Sequence, residues 1–197
     1  MEKSESVPQR APLDPPHYGY RRGMRTPEPG EIKLQGWVAV AEGATGVFYY
    51  AAAPGFPGRR HLWDAGWTET ANTRAAGELF GKLRRVGPLL CRLERDYQES
   101  GFVEISNPRV LAHRFVARPG HSQPGRYLVI ASLDGFGPQS FDLKLRAPER
   151  VFDVVSRQEI TGKTKGLRLG PGEGTVLLLG SQDDFQSACR QMDQASD

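Results

Sequence analysis

Cysteine is scarce in this chain of 197 residues, and its two cysteines stand far apart, at positions 91 and 189. Two distant cysteines provide neither a disulfide framework nor the short spacing of a zinc site. The four histidines, at positions 17, 61, 113 and 121, also lack the spacing of metal ligands. No P-loop and no G-x-S-x-G nucleophile elbow occurs. We therefore expect no metal centre and no cofactor.

Long hydrophobic runs and a strong charge of one sign are also lacking. The longest apolar stretches, residues 38–41, 47–53 and 176–179, are far shorter than the roughly 20 residues of a membrane-spanning helix. The first ten residues have no apolar core and do not predict a signal peptide. The net charge is +3, and the lysines and arginines are scattered. Because nucleic acid requires a denser basic face, we expect neither a membrane nor a nucleic-acid partner.

One stretch, residues 26–50, combines a helix pattern with a strand pattern. Four apolar residues recur at the i, i+3, i+4 and i+7 spacing of one helix face; they are Leu34, Trp37, Val38 and Ala41. Gly43 and Gly46 allow the backbone to end the helix and turn. The apolar run 47–50 then predicts a strand covered on both faces, as in a parallel sheet. A helix that leads into such a strand is half of a βαβ repeat.

This stretch resembles the last helix and the eighth strand of the (β/α)8 barrel in β-galactosidase-like glycoside hydrolases. The shared features are the helix start, the small-residue turn and the aromatic strand end; they are Pro29-Gly30-Glu31, Gly43-Ala44-Thr45-Gly46 and Phe48-Tyr49-Tyr50. A complete barrel needs about 250 residues. This chain has one clear helix–strand unit in 197 residues. The resemblance therefore implies the C-terminal portion of such an enzyme.

The segment after the predicted strand is a loop, because Pro-Gly pairs punctuate it. The resemblance implies that this loop lines the active-site mouth, where the strands of such barrels end. Aromatic rings stack on the apolar faces of sugars, and histidine or carboxylate groups bind sugar hydroxyls. The predicted carbohydrate-binding residues are Tyr50, His61, Trp63, Asp64 and Trp67. The alternative is that the two tryptophans only pack the loop onto the rest of the protein.

No catalytic residue can be assigned from the sequence. Glycoside hydrolysis normally requires two carboxylates that flank the scissile bond. The resemblance places one of them on the fourth barrel strand, which this chain does not show. Glu2 is a candidate remnant of the nucleophile, although a solvated glutamate in a polar arm is the stronger interpretation. We therefore expect the chain alone not to hydrolyse glycosides.

The pattern changes along the rest of the chain. Residues 72–97 predict a long amphipathic helix, interrupted at Gly87-Pro88. From Gly101 onward, short alternating runs such as 141–146 lie between Pro-Gly and Asp-Gly turns. This pattern predicts an antiparallel β-sandwich, and it resembles the small C-terminal β-domain of many glycoside hydrolases.

The predicted fold class is therefore α+β, with an N-terminal helix-strand-helix remnant of a (β/α)8 barrel followed by a C-terminal antiparallel β-sandwich. We expect four parts. Residues 1–25 form a loop or disordered arm, residues 26–98 the partial barrel segment, residues 99–181 the sandwich, and residues 182–197 a polar tail that is either a short helix or frayed.

Two functions remain open. The chain is either the C-terminal part of a carbohydrate-active barrel enzyme, which supplies rim residues and an accessory sandwich, or a stand-alone carbohydrate-binding or structural β-sandwich module. A carbohydrate is the expected partner. A lone strand at residues 47–50 would have unpaired edges. We therefore expect either that a partner, such as a second copy of the chain, covers this strand, or that the region is loosely held.

Overall fold

The computed structural model describes residues 26–49, 63, 68–98 and 103–194. Within these residues the fold is α+β, with three helices and a largely antiparallel sheet. The helices are α1 (Pro29–Ala41), α2 (Ala71–Leu90) and α3 (Gln182–Gln194). The strands are β1 (Leu93–Arg95), β2 (Val103–Ile105), β3 (Val110–Ala117), β4 (Arg126–Ser132), β5 (Gln139–Phe141), β6 (Leu143–Leu145), β7 (Val151–Asp153), β8 (Gln158–Glu159), β9 (Leu167–Leu169) and β10 (Gly174–Leu179).

Six of these strands form the main sheet, in the order β1-β3-β4-β10-β7-β8. Each neighbouring pair in this sheet is antiparallel. At its centre, Val129 of β4 lies opposite His113 of β3 on one side and Val176 of β10 on the other. Two further antiparallel pairs, β2 with β6 and β5 with β9, form small separate sheets.

Successive residues of the central strands face opposite sides of the main sheet, as the two-residue strand period requires. The helix-facing side carries Phe115, Tyr127, Val129, Val176 and Leu178. The opposite side carries Leu128, Ile130, Leu177 and Leu179, which pack with Phe141, Leu143 and Leu169 of the small sheets. Both sides of the main sheet are therefore covered by apolar residues of the described chain.

The helices and the main sheet share one hydrophobic core. Trp37 of α1, Leu79 and Leu89 of α2, and Met192 of α3 all belong to the cluster that contains the helix-facing residues of the sheet. Trp37 is completely buried. The boundary expected between residues 98 and 99 therefore does not divide this core.

Residues 182–194 form helix α3 rather than a frayed tail. Ala188 and Met192 are buried, and the ring of Phe185 stacks on Phe152 of β7 with centroids 4.6 Å apart. An amphipathic stripe thus holds a largely polar helix against the core.

The strand predicted at residues 47–50 is not formed over its described part, because residues 47–49 belong to no strand. A strand exists only where a second strand accepts and donates its backbone hydrogen bonds. Among the described residues no strand pairs with this segment. The expected cover on both faces is also wrong for the described part, because Phe48 is 87% exposed.

Two other element boundaries differ from the prediction. The helix expected over 72–97 ends at Leu90, and Leu93–Arg95 instead pairs with β3. The single strand expected over 141–146 is divided at Asp142 between β5 and β6. There the Asp142 backbone exchanges hydrogen bonds with Ser106: its N–H donates to the serine hydroxyl at 2.8 Å, and its carbonyl accepts from the serine N–H at 3.2 Å. In both cases a contact between residues far apart in the sequence determined where the element ends.

Candidate functional site

Only one of the five predicted carbohydrate-binding residues lies within the described residues. Trp63 is half-buried and forms an isolated antiparallel bridge with Glu69, just before α2. The other four predicted residues lie outside the described part of the chain; they are Tyr50, His61, Asp64 and Trp67. Glu2 lies outside it as well. The geometry of the site must therefore be built from Trp63 and from the elements that flank this loop.

Helices α1 and α2 lie side by side and run in the same direction. Near their N-terminal ends, Ile32 clusters with Ala75 and Ala76. One turn further along, Gly36 lies against Leu79, and beyond it Val40 and Leu83 line the same cavity. Residues further along α1 contact residues further along α2, so the two helices are parallel. When two consecutive helices are parallel, the chain that connects them must run back along their length.

Residues 42–49 make this return, and we call them the return segment. Residues 43–47 line a cavity together with Leu90 and Cys91, at the C-terminal end of α2. Tyr49 has reached the other end, where it packs with Ile32 and its hydroxyl donates to the Ile32 carbonyl. The Tyr49 ring also meets Phe80 edge-on, with centroids 5.6 Å apart. The return segment thus runs antiparallel to both helices.

Burial alternates along the end of the return segment. Val47 and Tyr49 pack towards the core, while Phe48 between them is 87% exposed. This is the two-residue alternation of a strand, although no strand is formed. The segment therefore has the direction and the side-chain alternation of the strand in an α-β-α unit, and it leaves a large aromatic ring uncovered.

Hydrogen bonds fix the start of α2 beside the start of α1. The Thr70 hydroxyl caps α2 by accepting from the Thr73 N–H at 3.2 Å. The Asn72 side-chain amide donates to the Pro27 carbonyl at 3.0 Å and joins the two helix starts. The hydroxyl of Tyr49, which donates to the Ile32 carbonyl, reaches the same end of α1.

A small polar group accompanies Trp63 at this end of the helix pair. The carboxylate of Glu69 lies 3.9 Å from the guanidinium of Arg74, and both side chains are more than half exposed. We call Trp63, Glu69 and Arg74 the rim. Sequence patterns did not reveal Glu69 and Arg74, because their place beside Trp63 depends on the bridge between residues 63 and 69. The backbone bridge and the ion pair therefore connect the described part of this loop to the first turn of α2.

Glu42 marks the opposite end of the helix pair and serves a structural role. Its carboxylate forms an ion pair with Arg95 and lies 3.3 Å from Nε2 of His113. The guanidinium of Arg95 also lies over the ring of Tyr97, 4.8 Å from its centre. These contacts tie the end of α1 to β1 and β3, away from the rim.

An apolar cavity of about 370 Å3 opens between the return segment, α2 and the main sheet. Its walls include Val40, Val47, Leu83 and Phe115. Arg118 stands at the cavity and donates from Nε to the Leu93 carbonyl at 2.7 Å. The cavity therefore lies on the core-facing side of the return segment, the side of Val47 and not of the exposed Phe48.

Glu173 lies between two lysines where α1 and α2 approach the β9–β10 turn. Its carboxylate is 2.9 Å from the ammonium of Lys82 and 3.5 Å from that of Lys33. Burial alone would raise the pKa of Glu173, but the hydrogen bonds and positive charges of Lys82 and Lys33 outweigh burial and hold that pKa below its ordinary value. Glu173 is therefore an ionised anchor for both helices.

The described residues contain no group of three His, Cys, Asp or Glu side chains arranged to hold a metal ion. Among the described helices, none combines the length and the apolar composition needed to cross a membrane. Comparison with known protein families finds no matching family, and comparison with curated proteins finds no match. Inference about function therefore rests on the geometry of the chain itself.

Proposed function

We propose that this chain is a carbohydrate-active component with the architecture of the C-terminal part of a β-galactosidase-like glycoside hydrolase. The observation that supports this proposal is the parallel pair α1 and α2 with a return segment of strand-like alternation between them. In a (β/α)8 barrel each strand returns in this way between parallel helices. In the proposal, the main sheet and the two small sheets are the accessory β-sandwich.

The proposed site is the N-terminal end of the helix pair. In an α-β-α unit this is the end where the strand finishes and where barrel enzymes bind substrate. The Trp63 ring would stack on the apolar face of a sugar, and Glu69 and Arg74 would bind its hydroxyls. Tyr50, His61, Asp64 and Trp67 remain the predicted partners of Trp63. The proposed role is substrate binding, since hydrolysis would need a second carboxylate.

The exposed Phe48 has a clear place in this proposal. In a barrel, the side chain that points away from the helices packs inside the barrel against neighbouring strands. We propose that further strands, from the same protein or from a second copy of the chain, cover Phe48 in the working assembly.

The alternative function is a stand-alone carbohydrate-binding or structural module. It is supported by the core that the helices share with the main sheet, because a chain that covers both sides of its sheet can fold as one unit. The two functions differ in whether another strand is needed next to Phe48.

Saturation-transfer NMR with methyl β-galactoside, methyl β-glucoside and methyl β-xyloside tests the proposed site. We expect at least one of these sugars to bind, and Trp63→Ala to weaken binding about fivefold or more, as the loss of about 1 kcal/mol of stacking implies. Tyr97→Ala is the matched control, since it removes an exposed aromatic ring at the opposite end of the helix pair. Binding that survives Trp63→Ala, or no binding of any of the three sugars, would count against the rim.

A further inference from the structure

A second cavity, of about 330 Å3, lies between α2 and strands β7, β9 and β10. One part of its lining is apolar and another part is basic. The apolar part includes Phe141, Ile160, Leu169 and Leu177. The basic part consists of Lys82 and Arg85 of α2 and Arg168 of β9. Three cationic side chains from two separate elements therefore meet at one concave surface.

The two carboxylates of this cavity already have partners inside the protein. Oδ1 of Asp153 accepts from the N–H groups of Val155 and Ser156, at 2.9 and 3.2 Å, and from the Thr175 hydroxyl at 2.7 Å. Glu173 is held by Lys82 and Lys33. Neither acid forms an ion pair with an arginine of the cavity.

The arginines of the cavity, in contrast, are not paired with its carboxylates. Lys82 pairs with Glu173, and Lys33 pairs with both Glu173 and Glu78, so the charges of these lysines are balanced within the protein. Arg85 and Arg168 are both exposed, and among the described residues neither side chain has a hydrogen bond or an ion pair. Lys82 and Arg85 are three residues apart and lie on one face of α2. Positive charge that lacks an internal partner is thus concentrated here.

We propose that this cavity binds the carboxylate of an acidic carbohydrate through Arg85 and Arg168. The planar guanidinium fork matches a carboxylate and can form two parallel hydrogen bonds to it. Lys82 adds a point charge, and the apolar lining accommodates the sugar ring. The carbohydrate part of this inference rests on the proposed function, whereas the anion part rests on the cavity alone.

Isothermal titration with three probes tests the inference: trigalacturonate, the neutral trisaccharide galactotriose, and inorganic sulfate. We expect trigalacturonate to bind at least tenfold more tightly than either other probe. The double variant Arg85→Gln, Arg168→Gln should weaken this binding about tenfold or more, because each lost charge-assisted hydrogen bond is strong. Arg84→Gln is the control, since Arg84 lines the other cavity and its loss should leave binding unchanged.

Several outcomes would overturn the inference. They are equal binding of the acidic and neutral trisaccharides, equal binding of sulfate and trigalacturonate, no binding of trigalacturonate, and no effect of the double variant. A failure of the proposed sugar site at the rim would give a different result. Trp63→Ala would then leave the binding of neutral methyl glycosides unchanged, while the binding of trigalacturonate would still depend on Arg85 and Arg168.

Discussion

At the scale of single residues, two glycines hold α1 against the β9–β10 turn. Gly172 has a φ of +64°. A Cβ placed there would overlap the carbonyl oxygen of Gly30 in the first turn of α1. A side chain at position 172 would therefore meet both backbone strain and a steric clash.

Gly172→Ala should lower the free energy of unfolding by about 2 kcal/mol or more, measured by urea denaturation. Gly77→Ala is the matched control. It lies within α2 with open space around it, so alanine should raise stability there by about 0.5–1 kcal/mol. A Gly172→Ala variant as stable as the parent would show that the helix start is not packed as described.

Glu173 makes stability depend on pH in a defined direction. Its pKa is lower in the folded than in the unfolded chain, so the ionised carboxylate stabilises the fold above its ordinary pKa of 4.5. This contribution is lost as the pH falls through the lowered pKa. Glu173→Gln should therefore destabilise the protein at pH 7, and the difference from the parent should shrink below pH 4.5.

Urea denaturation between pH 7 and pH 3 measures this difference. Glu78→Gln is a suitable control, because Glu78 pairs with Lys33 at 3.4 Å but is more than half exposed, and exposed ion pairs contribute little. A Glu173→Gln effect that is constant across this pH range would contradict the assigned role.

The candidate site was only partly accessible to sequence reasoning at this scale. Trp63 could be selected because a loop tryptophan after an apolar run is conspicuous. Glu69 and Arg74 could not, because an exposed carboxylate and a helix arginine look the same in sequence wherever they lie. Arg85 and Arg168 were missed for a related reason: they are 83 residues apart and meet only because α2 lies beside β9.

At the scale of elements, sequence periodicity predicted those features that depend only on residues close together in the chain. The existence of α1 and the glycine turn that follows its end at Ala41, where Gly43 has a φ of +95°, follow from the residues themselves. The errors arose where the pairing of strands that are distant in sequence decides whether a strand forms. Leu93 continued the apolar stripe of α2, yet it lies opposite Ala117 in the main sheet. Residues 47–49 have the alternation of a strand, but no strand in the described part of the chain pairs with them.

Helix α3 is an element whose attachment can be tested. Met192 is buried against the shared core, so Met192→Ala should lower the free energy of unfolding by about 2–5 kcal/mol. Gln186→Ala, on the exposed side of the same helix, should change it by less than about 0.5 kcal/mol. Thermal denaturation of the two variants measures this difference. Equal effects would indicate that α3 does not pack on the sheet.

At the scale of the whole molecule, one core joins three helices to a sheet that begins before residue 98 and continues to residue 179. β1 is an edge strand of the main sheet and directly follows α2. Pulling the helix pair away would expose Tyr127, Val129 and Val176 and would also uncover Trp37. Loss of buried apolar surface on this scale costs several kcal/mol, since each large side chain contributes roughly 1.5–3 kcal/mol.

The helix pair and the central strands should therefore open together. Native-state hydrogen exchange should give the same opening free energy for amides of α1, residues 36–40, as for amides of β4, residues 127–131. Residues 47–49 serve as an internal control, because they belong to no strand and should exchange much faster. If α1 exchanged at a clearly lower free energy than β4, the helix pair would be a separate and weaker unit, and the architecture would resemble two domains in contact.

Equal values in the isolated chain would favour the stand-alone module. Equal values reached only when added strands or a second copy cover Phe48 would favour the barrel-derived assembly.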